Sequence, residues 1–395
     1  MDIAKKNKLQ EIILFLFLVL FPFGQLLKVS FQPIDLVVGL AFFYTILRLR
    51  SRPPVIFSAK KFKAFKVLTN FLLAASFSLL FSLSIFHTGQ LIVGILYLIR
   101  LTFYIYFILF VYDYVRKSKT KKDLIFNGLI LVCFFSALFG WLQYIWLPDF
   151  RPFTVFGWDD HLYRLIGTFL DPGFTSIVIV FGAIATLYKY FSTKKRKLIW
   201  LIVFFILSLA FTYSRAGYIS FIAGAFYLAV TEKKIKQVLL IIAAFILIIL
   251  ALPKTQGEGV KLERTESVNA RLLNYSQTLQ IISKSPLFGI GFNNICLAKY
   301  TFLGINDQES HSCSGSDSSL LLILATTGVV GFIIFLWGLW SLFHLIALKS
   351  IYGKVLMSSS FALFTHSLFV NSLFYPWVMG WIAILLAVSL KESKE

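Results

Sequence analysis

The chain has 395 residues; 58% are hydrophobic, 44 are phenylalanine, only 14% are charged, and the net charge is +20. With a mean hydropathy of +0.81, that balance excludes a soluble globule, and three cysteines cannot form a disulfide framework. Apolar runs of 16 to 25 residues recur along the chain, at the length that crosses a ~30 Å hydrocarbon core. Runs this long and continuous are helices rather than alternating strands. The sequence therefore predicts an all-α polytopic integral membrane protein of about 12 transmembrane helices, a single membrane domain over 1–395.

In chain order, the first span, near 11–26, follows the basic start MDIAKKNK. No small-residue cleavage pattern follows it, so it is read as an uncleaved first helix rather than a signal peptide. Spans near 33–49, 66–86, 91–113 and 123–147 lead to a first long loop, 148–172. Spans near 173–191, 198–213, 216–231 and 236–252 lead to a second, 253–318, and spans near 319–346, 353–372 and 374–390 follow. Both loops exceed the ~15 residues of a simple connection. In the second, SVNARLLNYSQTLQIISKSP sets Val268, Leu272, Tyr275, Leu279 and Ile282 at helical spacing, with Ser267 as N-cap and Pro286 as stop. Such an amphipathic helix lies on the membrane surface or on the bundle, with Arg271 at the edge of the stripe. The FGIGFNN that follows is a glycine-rich turn, too short for a nucleotide loop.

The charge pattern sets an expected topology. Of the 38 Lys and Arg residues, 27 fall in every second loop and at the two ends, in tracts such as RKSKTKK and STKKRK. The positive-inside rule then places both termini and those loops in the cytoplasm. The basic balance is a topology signal, and no nucleic-acid partner is expected. Tracts ending at Lys197 and starting at Lys233 are both cytoplasmic on this reading. An unbroken helix between them would run about 54 Å and finish on the wrong side. The chain must turn back halfway, at Arg215 in FTYSRAGYIS, with Gly217 giving the backbone freedom to do so.

Arg151, Arg164, Arg215, Arg264 and Arg271 then gather on the extracytoplasmic half, and Arg100 falls inside a span. Guanidinium forks suit bidentate binding of phosphate. The alternatives are a carboxylate partner for each (Asp149, Asp159, Asp160 or Asp171) or, for Arg215, an interfacial position reaching lipid phosphates. Candidates for acid–base work are His161, His311, Asp171 and Asp317, against the plainer reading that a polar residue at the mouth of a span is an interfacial cap. Zinc-type cysteine pairs, HExxH, Walker and GxSxG patterns do not occur, so no metal and no cofactor is expected. Cys133 lies in a span; Cys296 and Cys313 share the large loop, either paired or as two thiols. No internal repeat is visible, which weakens a transporter reading.

Four segments in order carry a resemblance. RLIGTFLDPGFTS, TYSRAG, NARLLNYSQTLQIISKSPLFGIGFNN and DSSLLLILATTGVVG resemble the R-x-x-G-T-F-x-[DN]-P, T-x-S-R-G/A, G-R-x-x-x-W…P-x-x-G-x-G-x-x-N-F and H-N-x-x-L…E-x-G-x-x-G segments of the O-antigen ligase and O-antigen polymerase superfamily (WaaL/Wzy-like). The resemblance spans about residues 160–335. It implies a GT-C-like membrane glycosyltransferase of a bacterial cytoplasmic (inner) membrane, with its active site extracytoplasmic. The donor would be an undecaprenyl-pyrophosphate-linked glycan drawn from membrane lipid, and the acceptor a hydroxyl on lipid or on another glycan. Arg215 and Arg271 would bind the pyrophosphate, with Arg164 as a weaker third and Arg264 beside them; their charge would make the reaction metal-independent. The chain departs from the family at the base. Where ligases have histidine it has Asp317, followed by Ser318, and Tyr275 stands where tryptophan is usual. Asp317 is the expected base and His311 the reserve. Two other readings stay open: a non-catalytic exporter or flippase of polyprenyl-linked sugars, and a structural membrane protein.

Overall fold

The structure, a computed structural model, describes residues 3–28, 31–51, 63–116, 118–253, 258–261, 265–306, 313 and 315–391. Arg264 and His311 lie outside the described residues. Fourteen α-helices occur among those described: α1 (Ile3–Leu20), α2 (Pro33–Ser51), α3 (Lys63–Phe81), α4 (Ile92–Val115), α5 (Lys119–Trp146), α6 (Pro172–Thr193), α7 (Lys197–Phe211), α8 (Arg215–Thr231), α9 (Ile235–Ala251), α10 (Glu266–Lys284), α11 (Ile295–Leu303), α12 (Ser319–Leu345), α13 (Ile351–His366) and α14 (Pro376–Ser389). Six helical stretches are long and apolar enough to cross a membrane, and α7, α8, α9 and α14 are shorter apolar helices. The chain divides into two compact units.

The first unit comprises residues 1–34, 115–265 and 347–366. Its central helix is α6, buried without interruption from Thr175 to Tyr188, which is what an all-round apolar sequence requires. Helices α5, α7, α8 and α13 pack around it. Gly217 lies inside α8 rather than at a turn, and a Cβ there would sit 2.5 Å from the Cβ and Oγ of Ser176 on α6. The role expected for Gly217 is therefore corrected: it lets two helices approach. The left-handed turn residue is Tyr213, with φ of 50°. Polar ties close the other end of the unit, where Tyr352 donates to Asp123 at 2.6 Å and Lys354 pairs with Glu232 at 2.5 Å.

The second unit comprises residues 35–114, 266–346 and 367–395. Helix α12 is its spine, packed against α3 and α10, and it is broken at Gly328 (φ 66°, ψ −175°). Backbone groups released by that break must find partners. The segment between α10 and α11 supplies them: Val329 N–H donates to Pro286 O at 2.9 Å, Val330 N–H to Leu287 O at 3.2 Å, and Ile290 N–H to Ala325 O at 3.0 Å. Ser78 of α3 donates to Thr326 O at 2.5 Å. Gly289 (φ 72°) and Gly291 (φ 91°) permit this threading, since a Cβ at Gly289 would meet Thr326 and Gly328 backbone at 2.5–2.6 Å. FGIGFNN is thus more than a turn; it completes a broken membrane helix. Ile281, Ile290, Ile295, Leu322 and Ala325 pack as one core around the insertion.

Helix α10 also differs in detail from the sequence expectation. It begins at Glu266, so Ser267 is inside it, and it ends at Lys284, just before Pro286 as expected. Its buried residues are Thr278 and Ile281, whereas Val268, Leu272 and Leu279 are 40–59% exposed. The buried face is rotated by about one residue, roughly 100°, from the apolar stripe. Of the stripe, Tyr275 and Ile282 are partly buried, and Arg271 and Asn274 are partly buried beside them.

Candidate functional site

In the first unit, α7 ends at Phe211 and α8 starts at Arg215. The expected hairpin is present, and Arg215 is the first residue of its second helix, partly buried. Ser214 N-caps α8, its hydroxyl accepting from Gly217 N–H at 3.2 Å. Thr212 Oγ1 accepts from Ser214 N–H at 3.2 Å. The last carbonyls of α7 have no partner within the helix. Arg164, 8% exposed, donates Nε to Thr212 O at 3.1 Å and Nη2 to Tyr213 O at 3.3 Å. Leu165 N–H donates to Phe211 O at 2.9 Å, and the Tyr218 hydroxyl to Ala210 O at 2.5 Å. A guanidinium at the negative end of a helix is well placed electrostatically, so Arg164 braces the turn that carries Arg215.

Asp171 caps α6 by accepting from Phe174 N–H at 2.8 Å. Burial pushes its carboxyl up to about 6; the Phe174 N–H opposes the rise, Asp159 adds to it and Arg164 also opposes it. Asp159, His161 and Asp171 each bring one ligating atom within 4.8 Å of the others. This is the grouping among the described residues with the donor set for a divalent cation; an imidazolium between two carboxylates would satisfy the same charges. The loop that presents His161 is fixed by Phe150 N–H on His161 O at 2.8 Å and Tyr163 N–H on Pro148 O at 2.9 Å.

Two arginines take the carboxylate alternative. Arg151 grips Asp149 through Nε at 2.9 Å and Nη2 at 2.6 Å, and these hydrogen bonds hold the Asp149 carboxyl below its usual range. Arg100, in the second unit, pairs with Asp35 at 2.7 Å and lies 4.9 Å from the Tyr97 ring centroid. The partner Asp35 opens α2 and carries no local signal that would have linked it to Arg100.

The second unit brings Arg271 and Asp317 to one neighbourhood. Arg271, Asn274, Tyr275 and Thr278 share a face of α10 by their i, i+3, i+4, i+7 spacing. The Asn274 side-chain carbonyl accepts from Asp317 N–H at 2.9 Å and from the Ser316 hydroxyl at 3.3 Å. Thr278 donates to Ser316 Oγ at 3.1 Å, and the Tyr275 hydroxyl to Leu368 O at 2.6 Å. Burial raises the Tyr275 phenol, the Arg271 charge pulls it back and Asp317 adds to the rise, so both charges lie within reach of one ring. Beyond Asp317, Ser318 caps α12 and donates to Ser367 O at 3.2 Å, and Ser319 N–H donates to the same carbonyl at 2.8 Å. Upstream, Cys313 is disulfide-bonded to Cys296 of α11, Cα–Cα 4.9 Å, which resolves the open pairing. Sequence reasoning missed Asn274, whose one available signal is its position three residues after Arg271.

Comparison with known proteins agrees with the resemblance. Residues 200–336 match the family model described as O-antigen ligase; no curated protein matches the chain. The matched segment holds Arg215, Arg271 and Asp317, the interlocked break in α12 and both disulfide cysteines; Arg164, His161 and Asp171 lie before it. Residues 200–336, about a third of the chain, are thus similar to the O-antigen ligase family, and the chain carries six helical stretches long and apolar enough to cross a membrane.

Proposed function

We propose that the protein transfers a glycan from an undecaprenyl-pyrophosphate donor to an acceptor hydroxyl on lipid or glycan, in the assembly of a surface polysaccharide. The observation that carries this reading is the second-unit cluster, in which Asn274 ties the Asp317 backbone to the helix that bears Arg271. In the proposed step the acceptor oxygen forms a bond to the anomeric carbon while the sugar–phosphate C–O bond breaks. The bonding pair leaves on the lipid pyrophosphate, and the acceptor proton passes to the Asp317 carboxylate. Negative charge grows on the leaving group, where fixed guanidinium groups stabilise it. By resemblance, Arg271 and Arg215 are assigned that task; Arg164 holds the Arg215 turn, and Arg264 and His311 remain a further ligand and a reserve base. The arginines supply the positive charge, so the step is expected to run without a metal.

The proposed setting is an inner membrane, with both termini in the cytoplasm and the site outside it. The basic tracts support this, as does the Cys296–Cys313 disulfide, because structural disulfides belong to oxidising compartments. Arg215→Ala should abolish transfer while leaving the protein in the membrane; wild-type transfer would overturn the assignment. Arg215→Lys should restore little, because a point charge does not replace the fork. Electrophoresis of surface and lipid-linked glycans from a strain lacking the gene separates the two acceptors. Single repeat units on the final acceptor mean a polymerase, full-length chains stalled on the carrier mean a ligase, and an unchanged profile contradicts the proposal.

A further inference from the structure

We infer that Asn274 is a positioning residue for the base, fixing Asp317 against the helix that carries Arg271; this rests on the function proposed above. Three observations combine. Asn274 is partly buried on the inward face of α10, where an amide that made no useful bond would be a cost. A backbone N–H can only donate, so the atom facing Asp317 at 2.9 Å is the Asn274 carbonyl oxygen. The same oxygen takes the Ser316 hydroxyl, and Ser316 is held from the other side by Thr278, one helical turn further along α10.

The segment 316–319 is consequently restrained at four successive residues, two of them on α10 and two on the carbonyl of Ser367. The Asn274 bond acts on Asp317 itself. It also ties the backbone of the proposed base to the helix that carries the proposed phosphate ligand Arg271, one turn away. A donor held by Arg271 thereby meets a carboxylate whose backbone is already placed, and the orienting cost is met in folding rather than in the reaction.

The test uses purified full-length protein in proteoliposomes, with a polyprenyl-pyrophosphate oligosaccharide as donor and an acceptor glycan, comparing wild type, Asn274→Ala, Asn274→Asp and Asp317→Asn. Asn274→Ala should lower kcat by about 10- to 100-fold, the scale of a misplaced catalytic group, with KM for the donor nearly unchanged. Asn274→Asp keeps the accepting oxygen and adds a charge beside Asp317. It should retain most of kcat and move the acid limb of the pH–rate profile upward by about one unit, because a like charge disfavours ionisation. Tyr275, which feels both the Arg271 charge and Asp317, is unchanged in these variants, as is Arg271. If Asp317→Asn is inactive while both Asn274 variants match wild type in kcat and pH profile, the inference fails and the function stands. If Asp317→Asn is fully active, the assigned base is wrong and the inference falls with it. Should Asn274→Ala not fold, the pH profile of Asn274→Asp decides alone.

Discussion

Gly217→Ala separates two accounts of the same residue by the sign of its effect. Had Gly217 served only to let the chain turn, alanine would be welcome there, because the residue is within α8 and alanine in a helix gains up to about 1 kcal/mol over glycine. The structure predicts the opposite. The added Cβ would fall 2.5 Å from both Cβ and Oγ of Ser176 and 3.3 Å from Leu209 Cδ1. Ser176 is poorly able to give way, since its hydroxyl contacts Gly173 O at 2.7 Å, Ser214 Oγ at 3.1 Å and His366 Nε2 at 3.4 Å. Overpacking of a close contact costs about 1–3 kcal/mol, so the net change should be a loss of about 1–2 kcal/mol. Thermal unfolding in detergent can be followed by reaction of Cys133, which is buried and is the one cysteine outside the disulfide. Gly217→Ala should react at lower temperature, and Ser176→Gly in the same chain, which removes both clashing atoms, should return much of the loss. Unchanged or raised stability of the single variant would refute the packing account.

Asp171→Asn should stabilise the protein at neutral pH. A folded-state pKa of about 6 against 3.8 means the folded chain keeps a proton that the unfolded chain has released, so stability falls as pH rises through that window. Two units correspond to at most about 3 kcal/mol, less for a partly exposed group, and asparagine preserves the cap. Unfolding curves at pH 7.5 and 4.5 should show the full gain at the first and about a third of it at the second. Replacing Cys296 and Cys313 together with serine should cost up to about 3 kcal/mol, the scale for a loop of about 15 residues; thiol labelling of native protein should modify neither cysteine until a reductant is added. Gly328→Ala should be more damaging than Gly217→Ala, because φ of 66° with ψ of −175° is a region open essentially to glycine. Equal expression and unfolding temperature would contradict the interlock at the break.

The membrane class and the hairpin at Arg215 were legible because both follow from bulk quantities, apolar run length and the spacing of the basic tracts. What stayed hidden depends on partners distant in sequence. Run length reads 319–346 as one continuous span, and nothing local announces that Pro286, Leu287 and Ile290 satisfy a break at Gly328. The apolar stripe on α10 pointed about one residue away from the buried face, because Thr278, which is buried, and Asn274, which is partly buried, are held there by hydrogen bonds rather than by hydrophobicity. Arg164 is read from sequence as a pyrophosphate ligand, and its place as a brace was hidden, since its acceptors, Thr212 O and Tyr213 O, are backbone atoms some 50 residues later. The resemblance located Arg215, Arg271 and Asp317, and the family match covers all three.

The central claim is that the protein breaks a sugar–pyrophosphate bond and makes a glycosidic one. Its most direct measurement is release of polyprenyl pyrophosphate, together with lengthened acceptor, from proteoliposomes of purified protein supplied with a lipid-linked oligosaccharide and a metal chelator. The account predicts both products in equal amounts with wild type and neither with Arg215→Ala or Asp317→Asn. Lipid-linked sugar that crosses the bilayer with its pyrophosphate bond intact, and no new glycosidic bond, would contradict it.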